Sequence, residues 1–262
     1  MVTRERIPYG PHPDQWGELF LPSGAGSDAP ARTVVVIHGG YWRDQWTAEL
    51  GLPAALDLAD RGYGVWNLEY RRAGSGGRTG DGGWPATFRD VAMGIDHLAN
   101  LADKGVNISQ VAALGHSAGG HLAVWAAGRA AEAARTGGEN PAVALVGVVS
   151  QAGVLDLSAA HRLRLSNDAA ANLMGGPESE RPDEYALADP MRRLPTGVPV
   201  LAVHSRTDSD VPFELSEAYV AAARQAGDPA ELHETSGDHF APITPGEEAY
   251  ETCRALLARL LP

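Results

Sequence analysis

Val111-Ala112-Ala113-Leu114-Gly115-His116-Ser117-Ala118-Gly119-Gly120-His121-Leu122-Ala123-Val124-Trp125 joins two apolar stretches through a serine flanked by glycines. The short run 111–114 has the length and composition of a buried strand, and the run from Gly120 onward continues as a helix. Gly115-His116-Ser117-Ala118-Gly119 therefore stands as a sharp strand-to-helix turn. A turn this tight brings strand and helix backbones together, which leaves no room for Cβ atoms at the flanking positions. The serine is forced outward at a helix N-terminus, where partial positive charge favours a developing anion. A serine that merely completes a turn is the competing reading, and the flanking strand and helix argue against it. Ser117 is the candidate nucleophile.

Outward from this turn, apolar or β-branched runs recur at 33–37, 63–68, 145–149 and 198–203, with a shorter strand at 230–234. Such runs read as strands buried on both faces, the pattern of a parallel sheet. Between them lie amphipathic stretches at 48–61, 87–102, 121–135 and 214–225, closed by glycine or polar turns. The alternation implies right-handed βαβ crossovers: an α/β fold, a mostly parallel central sheet with helices on both faces. With 262 residues, 44% of them hydrophobic, a single domain over 1–262 is expected. Two segments break the rhythm. The glycine-rich loop 73–83 is expected to be mobile. The insert 155–195 is expected to form a small cap over a substrate pocket, a helix pair covering the sheet edge being the plainer alternative.

A formal net charge of −12 and an acidic pI repel phosphate backbones and anionic membranes, so nucleic-acid and membrane partners are not expected. The single cysteine, Cys253, lies in a helix-like run and excludes an internal disulfide or a cysteine metal cluster. No H-E-x-x-H or comparable ligand set occurs, and neither metal nor cofactor is expected. No apolar run approaches the roughly 18 residues that span a bilayer, and no apolar leader follows Arg4 and Arg6. A cytoplasmic protein with a small-molecule partner is the expectation, its oligomeric state left open with a homodimer among the options.

In such sheets reactive groups gather at the carboxyl ends of strands. His38-Gly39-Gly40-Tyr41-Trp42 follows the run 33–37, and its glycines let backbone approach a reacting oxygen. Backbone N–H groups of Gly40, Tyr41 and Ala118 are the candidate oxyanion donors. The run 198–203 ends in His204-Ser205-Arg206-Thr207-Asp208-Ser209-Asp210-Val211-Pro212, where Asp208 or Asp210 can orient a base. Beyond 230–234, Ser236-Gly237-Asp238-His239-Phe240 presents His239 as that base. His38, His116, His121 and His204 read more simply as structural imidazoles, and His233 as a packing or surface residue.

These segments resemble the kynurenine formamidase-like and carboxylesterase-like branch of the α/β hydrolases along nearly the whole chain. The resemblance rests on His38-Gly39-Gly40-Tyr41-Trp42-Arg43, on Trp66-Asn67-Leu68-Glu69-Tyr70-Arg71-Arg72, and on Gly115-His116-Ser117-Ala118-Gly119-Gly120-His121-Leu122-Ala123. It implies an α/β-hydrolase fold and an acid in a D-x-x-V-P segment, here Asp208 before Val211-Pro212. It also implies a histidine in G-x-H-F, here His239. The chain departs from relatives at Ser205, where glycine is common, and at Asp210, an extra carboxylate. The implied activity is acyl transfer to water through Ser117, on a small ester or an aryl formamide of the N-formylkynurenine type. His38, Gly39, Trp42 and Trp84 are the residues expected to line the substrate pocket, with Tyr41, Trp42 and Trp84 as aromatic walls. A general short-chain carboxylesterase is the alternative. A peptidase, or a binding module on a dead hydrolase, is disfavoured, the latter because Ser117, Asp208 and His239 are all present.

Overall fold

Buried apolar runs pair into a single eight-stranded sheet in the computed structural model, which describes residues 2–74 and 80–262. The expected glycine-rich loop 73–83 falls in part on 75–79, outside the described residues. The strands are β1 (Thr3–Pro8), β2 (Trp16–Leu21), β3 (Ala31–Ile37), β4 (Gly64–Leu68), β5 (Val106–His116), β6 (Val148–Gln151), β7 (Val200–His204) and β8 (Ala230–Glu234). Their spatial order is β1-β2-β4-β3-β5-β6-β7-β8. All neighbours from β4 to β8 pair parallel, whereas β2 runs antiparallel to β1 and β4.

The first hairpin is absent from the sequence expectation because β1, TRERIP, sits at an edge with mostly exposed side chains. Its polarity is matched across the pair: Arg4 lies 3.0 Å from Glu18, and the Arg6 guanidinium lies 3.7 Å from the centre of the Trp16 ring. The expected strand 145–149 begins only at Val148. Leu145 is buried without joining the ladder, since apolarity reports burial and not pairing.

Helices α1 (Leu52–Asp60) and α9 (Glu248–Leu260) cover one face of the sheet; α2 (Ala86–Asp96), α3 (Ala118–Ala127) and α8 (Phe213–Gln225) cover the other. The expected helix 48–61 divides into a 3₁₀ turn, Ala48–Gly51, and α1. The expected 121–135 divides at Gly128 into α3 and α4 (Arg129–Thr136). Cys253 lies fully buried in α9. The insert forms α5 (Leu157–Arg162), α6 (Leu165–Met174) and α7 (Pro182–Ala188). It is bolted to α3: Trp125 Nε1 donates to the Leu187 carbonyl at 3.0 Å and His121 Nε2 to the Ala188 carbonyl at 3.0 Å. The buried Asp189 carboxylate accepts from the N–H groups of Leu157, Ser158 and Met191. Among the described residues, no helix is long and apolar enough to cross a membrane.

The position of the site follows from the strand order. The chain passes from β3 outward to β4, then crosses back to place β5 on the other side of β3. Loops leaving the carboxyl ends of β3 and β5 thus diverge, and the crevice between them is where α/β sheets bind ligands. Ile37 pairs with Gly115, so the loop that starts at His38 stands directly beside Ser117.

Candidate active site

Ser117 occupies the corner between β5 and α3 with φ 54° and ψ −118°, a conformation that costs a non-glycine residue free energy and persists only where its surroundings fix it. They do so here. The Ser117 N–H donates to Gln151 O at 2.8 Å, and the Ser117 carbonyl accepts from Gly120, His121 and Val154. The flanking glycines are sterically required: a Cβ on Gly115 would lie 2.3 Å from Gly119 O, and one on Gly119 would lie 2.0 Å from Ile37 O. Gly39 presses against the same corner, where an added Cβ would meet His116 Nδ1 at 2.8 Å and Ser117 Cβ at 3.0 Å. The loop after β3 is therefore packed tightly against the serine corner.

Asp208 and His239 arrive on loops after β7 and β8. His239 Nδ1 donates to Asp208 Oδ2 at 2.6 Å, and both side chains are almost wholly buried. The other carboxylate oxygen, Oδ1, accepts from the N–H groups of Asp210 at 2.8 Å and Val211 at 2.9 Å. Burial by itself would raise the Asp208 pKa, but hydrogen bonds from His204 and His239 outweigh it and hold the carboxyl well below the usual carboxylate range. Of the two candidate acids, Asp208 holds the histidine, and exposed Asp210 offers its backbone.

Sequence reading gave His204 no part in this arrangement. Its Nε2 lies 3.1 Å from Asp208 Oδ2 and 3.0 Å from Val211 O, while Nδ1 accepts from the Ser216 hydroxyl at 2.8 Å. The signal was present, for His204 ends β7 only four residues before Asp208. His116 supports the base from below: its Nε2 donates to the His239 carbonyl at 2.9 Å, and the rings lie 4.7 Å apart. Complete burial, reinforced by the neighbouring His239, depresses the His116 pKa to about 3, so it stays neutral.

Ser117 and His239 open into one cleft of about 70 Å³. Gly40, Tyr41, Trp46 and Leu50 line it from the loop after β3 and the turn beyond, His116 from the serine turn, and Asp210 and Phe240 from the loops around His239. Tyr41 Oη donates to the Asp210 carbonyl at 2.5 Å, tying two of these loops together. Ala118 is the first residue of α3, so its N–H has no intrahelical acceptor. Gly40 and Tyr41 border the same cleft as Ser117, and Ala118 follows the serine directly.

The expected pocket residues do not line this cleft. Trp42 is 1% exposed and packs edge-on against His121 at 5.1 Å, because its positive φ of 57° turns the ring into the core. Trp84 packs against Phe88 at 4.9 Å, on the α2 side. His38, which bonds to Gly39 O, and Gly39, which packs on the serine corner, are not among the residues that line the cleft. The aromatic walls are Tyr41, Trp46 and Phe240, the last two substantially exposed. No residue of the insert borders the cleft among those that line it. Asp208, Asp210 and His239 converge closely enough to hold a cation, but the pairing of His239 with Asp208 already uses these groups.

The BD-FAE family profile matches residues 18–222, more than half of the chain. The chain belongs to the BD-FAE family. That match includes Ser117 and Asp208 and ends before His239. This BD-FAE chain is 27% identical over 231 residues to esterase LipQ of Mycobacterium tuberculosis, covering 84% of the chain and 52% of LipQ. It thus spans about half the length of that curated relative. Among solved structures, esterase B of Lactobacillus rhamnosis with a tributyrin phosphonate superposes with a TM-score of 0.78 at 23% identity, covering 99% of this chain and 85% of that one. Esterase 2 of Thermogutta terrifontis superposes with a TM-score of 0.75 at 20% identity, covering 98% and 93%. At these identities the likeness is one of fold, and it agrees with the α/β-hydrolase architecture.

Proposed function

We propose that this BD-FAE protein is a serine carboxylesterase of short acyl groups, working through Ser117, His239 and Asp208. One observation carries the reading: a buried carboxylate 2.6 Å from His239 Nδ1, with that histidine and Ser117 facing the same cleft. An imidazole whose Nδ1–H is held by a carboxylate keeps Nε2 free to take a proton. His239 removes the proton of Ser117, and the alkoxide attacks the ester carbonyl. The N–H groups of Ala118, Gly40 and Tyr41 receive the oxyanion. His239 then returns the proton to the leaving alcohol, and water releases the acyl enzyme by the same steps. Asp208 remains ionised throughout, consistent with its depressed pKa.

The cleft volume of about 70 Å³ holds a small acyl group, and similarity to esterase LipQ supports an ester substrate. The aromatic walls Tyr41, Trp46 and Phe240 favour an aryl leaving group. That lining supports a second reading, an aryl formamide of the N-formylkynurenine type, in which the acyl group is formyl and the leaving group an arylamine. Turnover of N-formylkynurenine beside p-nitrophenyl esters from acetate to octanoate decides between them. We expect specificity constants to peak at the shortest acyl groups and Ser117→Ala to abolish turnover while the fold survives. A serine-directed phosphonate that labels another residue, or activity retained in that variant, defeats the reading. A specificity constant rising by the worth of each buried methylene, about 0.8 kcal/mol, through eight carbons defeats the short-acyl assignment.

A further inference from the structure

The loop that supplies the oxyanion donors is held from behind by a buried ion-pair network. Glu69, 1% exposed, accepts from His38 Nε2 at 3.0 Å, from the backbone N–H groups of Ala48 at 2.9 Å and Tyr70 at 3.0 Å, and from Arg72 Nη1 at 2.5 Å. Arg72 Nη1 also donates to the Trp46 carbonyl at 3.0 Å. Burial by itself would raise the Glu69 pKa, but hydrogen bonding and charge from His38 and Arg72 outweigh it, so Glu69 is ionised. His38, itself 1% exposed, stacks on the Tyr70 ring at 4.4 Å, and Tyr70 Oη donates to the His38 carbonyl at 2.7 Å. The remaining ring nitrogen, Nδ1, lies 2.8 Å from the carbonyl oxygen of Gly39. A carbonyl oxygen only accepts, so Nδ1 donates to Gly39 O, and Nε2 lies against the Glu69 carboxylate on the ring's far side.

Gly39 C=O and Gly40 N–H belong to one trans peptide, whose planarity points them in opposite directions. A carbonyl drawn toward His38 therefore turns the Gly40 N–H away from His38, and Gly40 is the residue of that peptide that borders the cleft. We propose that His38 is a positioning residue that fixes the Gly39–Gly40 peptide so that the Gly40 N–H is aimed at the oxyanion, with Glu69 clamping the ring from its far side. The inference rests on the esterase reading, since it assigns a role within that reaction. His38 touches no substrate. It acts by removing the freedom of one peptide plane to rotate, which matters most in the transition state, where the oxyanion forms.

The two ends of the imidazole can be tested separately. Asparagine at 38 sets its amide nitrogen near the Nδ1 position and keeps the bond to Gly39 O, whereas glutamine reaches Glu69 and leaves Gly39 O unbound. Removing one oxyanion donor costs about 10²- to 10³-fold in kcat. A donor left free to turn should cost about 100-fold in His38→Gln, with KM for p-nitrophenyl acetate within about threefold, and less than tenfold in His38→Asn. Affinity for a trifluoromethyl ketone that mimics the oxyanion should fall in step with kcat. Thermal unfolding of both variants accompanies the kinetics. Equal or greater activity in His38→Gln, or losses that track the melting temperature and not the bond to Gly39, overturns the proposal. In the wild type, ¹H–¹⁵N spectra of the histidine rings should show a proton on His38 Nδ1, a result that requires no variant to fold; a bare Nδ1 overturns the proposal as well. Wild-type protein with no Ser117-dependent turnover refutes the esterase reading and the proposal with it, which separates the two failures.

Discussion

Asp208→Asn probes the centre of the site because every neighbour of this carboxylate is a donor. Oδ2 accepts from His239 Nδ1 at 2.6 Å and His204 Nε2 at 3.1 Å, and Oδ1 accepts from the N–H groups of Asp210 at 2.8 Å and Val211 at 2.9 Å. An asparagine amide has one oxygen, so its NH₂ meets two donors whichever way it turns. Facing the backbone pair, it pushes the loop apart. Facing the imidazoles, it drives His239 into the tautomer whose Nε2 already carries a proton and accepts none from Ser117. Loss of the orienting carboxylate in a serine triad lowers turnover about 10,000-fold, or about 5.5 kcal/mol of transition-state stabilisation. Asp210→Asn leaves the backbone N–H that holds Asp208 in place and removes only an exposed charge, so a change within about fivefold is expected. The assay is kcat/KM for p-nitrophenyl acetate, corrected by phosphonate titration of active serines, with melting temperatures in parallel. An Asp208→Asn variant within tenfold of wild type, or an Asp210→Asn variant that is the more damaged, refutes the reasoning.

Gly39→Ala inserts a Cβ 2.8 Å from His116 Nδ1 and 3.0 Å from Ser117 Cβ. Displacing the loop after β3, the proposed source of oxyanion donors, on that scale should lower kcat about 100-fold with KM little changed; unaltered kcat would mean the loop is not set by this contact. Trp46→Ala and Phe240→Ala each remove an exposed ring beside the cleft and should raise KM for aryl acetates about fivefold, leaving ethyl acetate unaffected. Equal effects on both substrates would remove these rings from the leaving-group site. His121 is buried beneath the insert with its pKa depressed by burial to about 4. The unfolded chain binds a proton there near pH 6.5 and the native chain does not, so this histidine makes stability fall as pH drops from about 6.5 to 4. His121→Gln retains a donor toward Ala188 and cannot titrate. Its denaturation curves should show a slope flatter by up to about 1.4 kcal/mol per pH unit in that window, and a difference from wild type that is the same at pH 7 and pH 5 would exclude the assignment.

Local sequence determined the serine turn and the alternation of strands and helices and pointed to His239 as the candidate base, because each is written in a short window. Gly115 and Gly119 surround Ser117 since a Cβ at either would strike backbone, and the buried runs of β3, β5 and β7 are apolar on both faces because helices cover both. The residues of the loop left Asp208 and Asp210 open and only the family resemblance pointed to Asp208. Both lie on one loop with the same chemistry, and the structure shows Asp208 as the one that holds His239, which returns on a loop beyond β8. The aromatic lining also had to wait. Trp42 directly follows Gly40 and Tyr41 and reads as a wall, yet its ring is buried in the core, while Trp46, four residues further, stands at the cleft. His38 was expected in the pocket, and Glu69 and His204 were visible as residue types without a role in the reaction, since their contacts depend on atoms brought together from distant segments. A hydrogen bond joining His38 to Glu69 across adjacent strands leaves no periodicity to read, and neither does a histidine bound to a carboxylate and to Ser216 at once. Chemistry confined to one turn of chain is encoded locally; chemistry that needs the ends of several strands exists only once the sheet has aligned them.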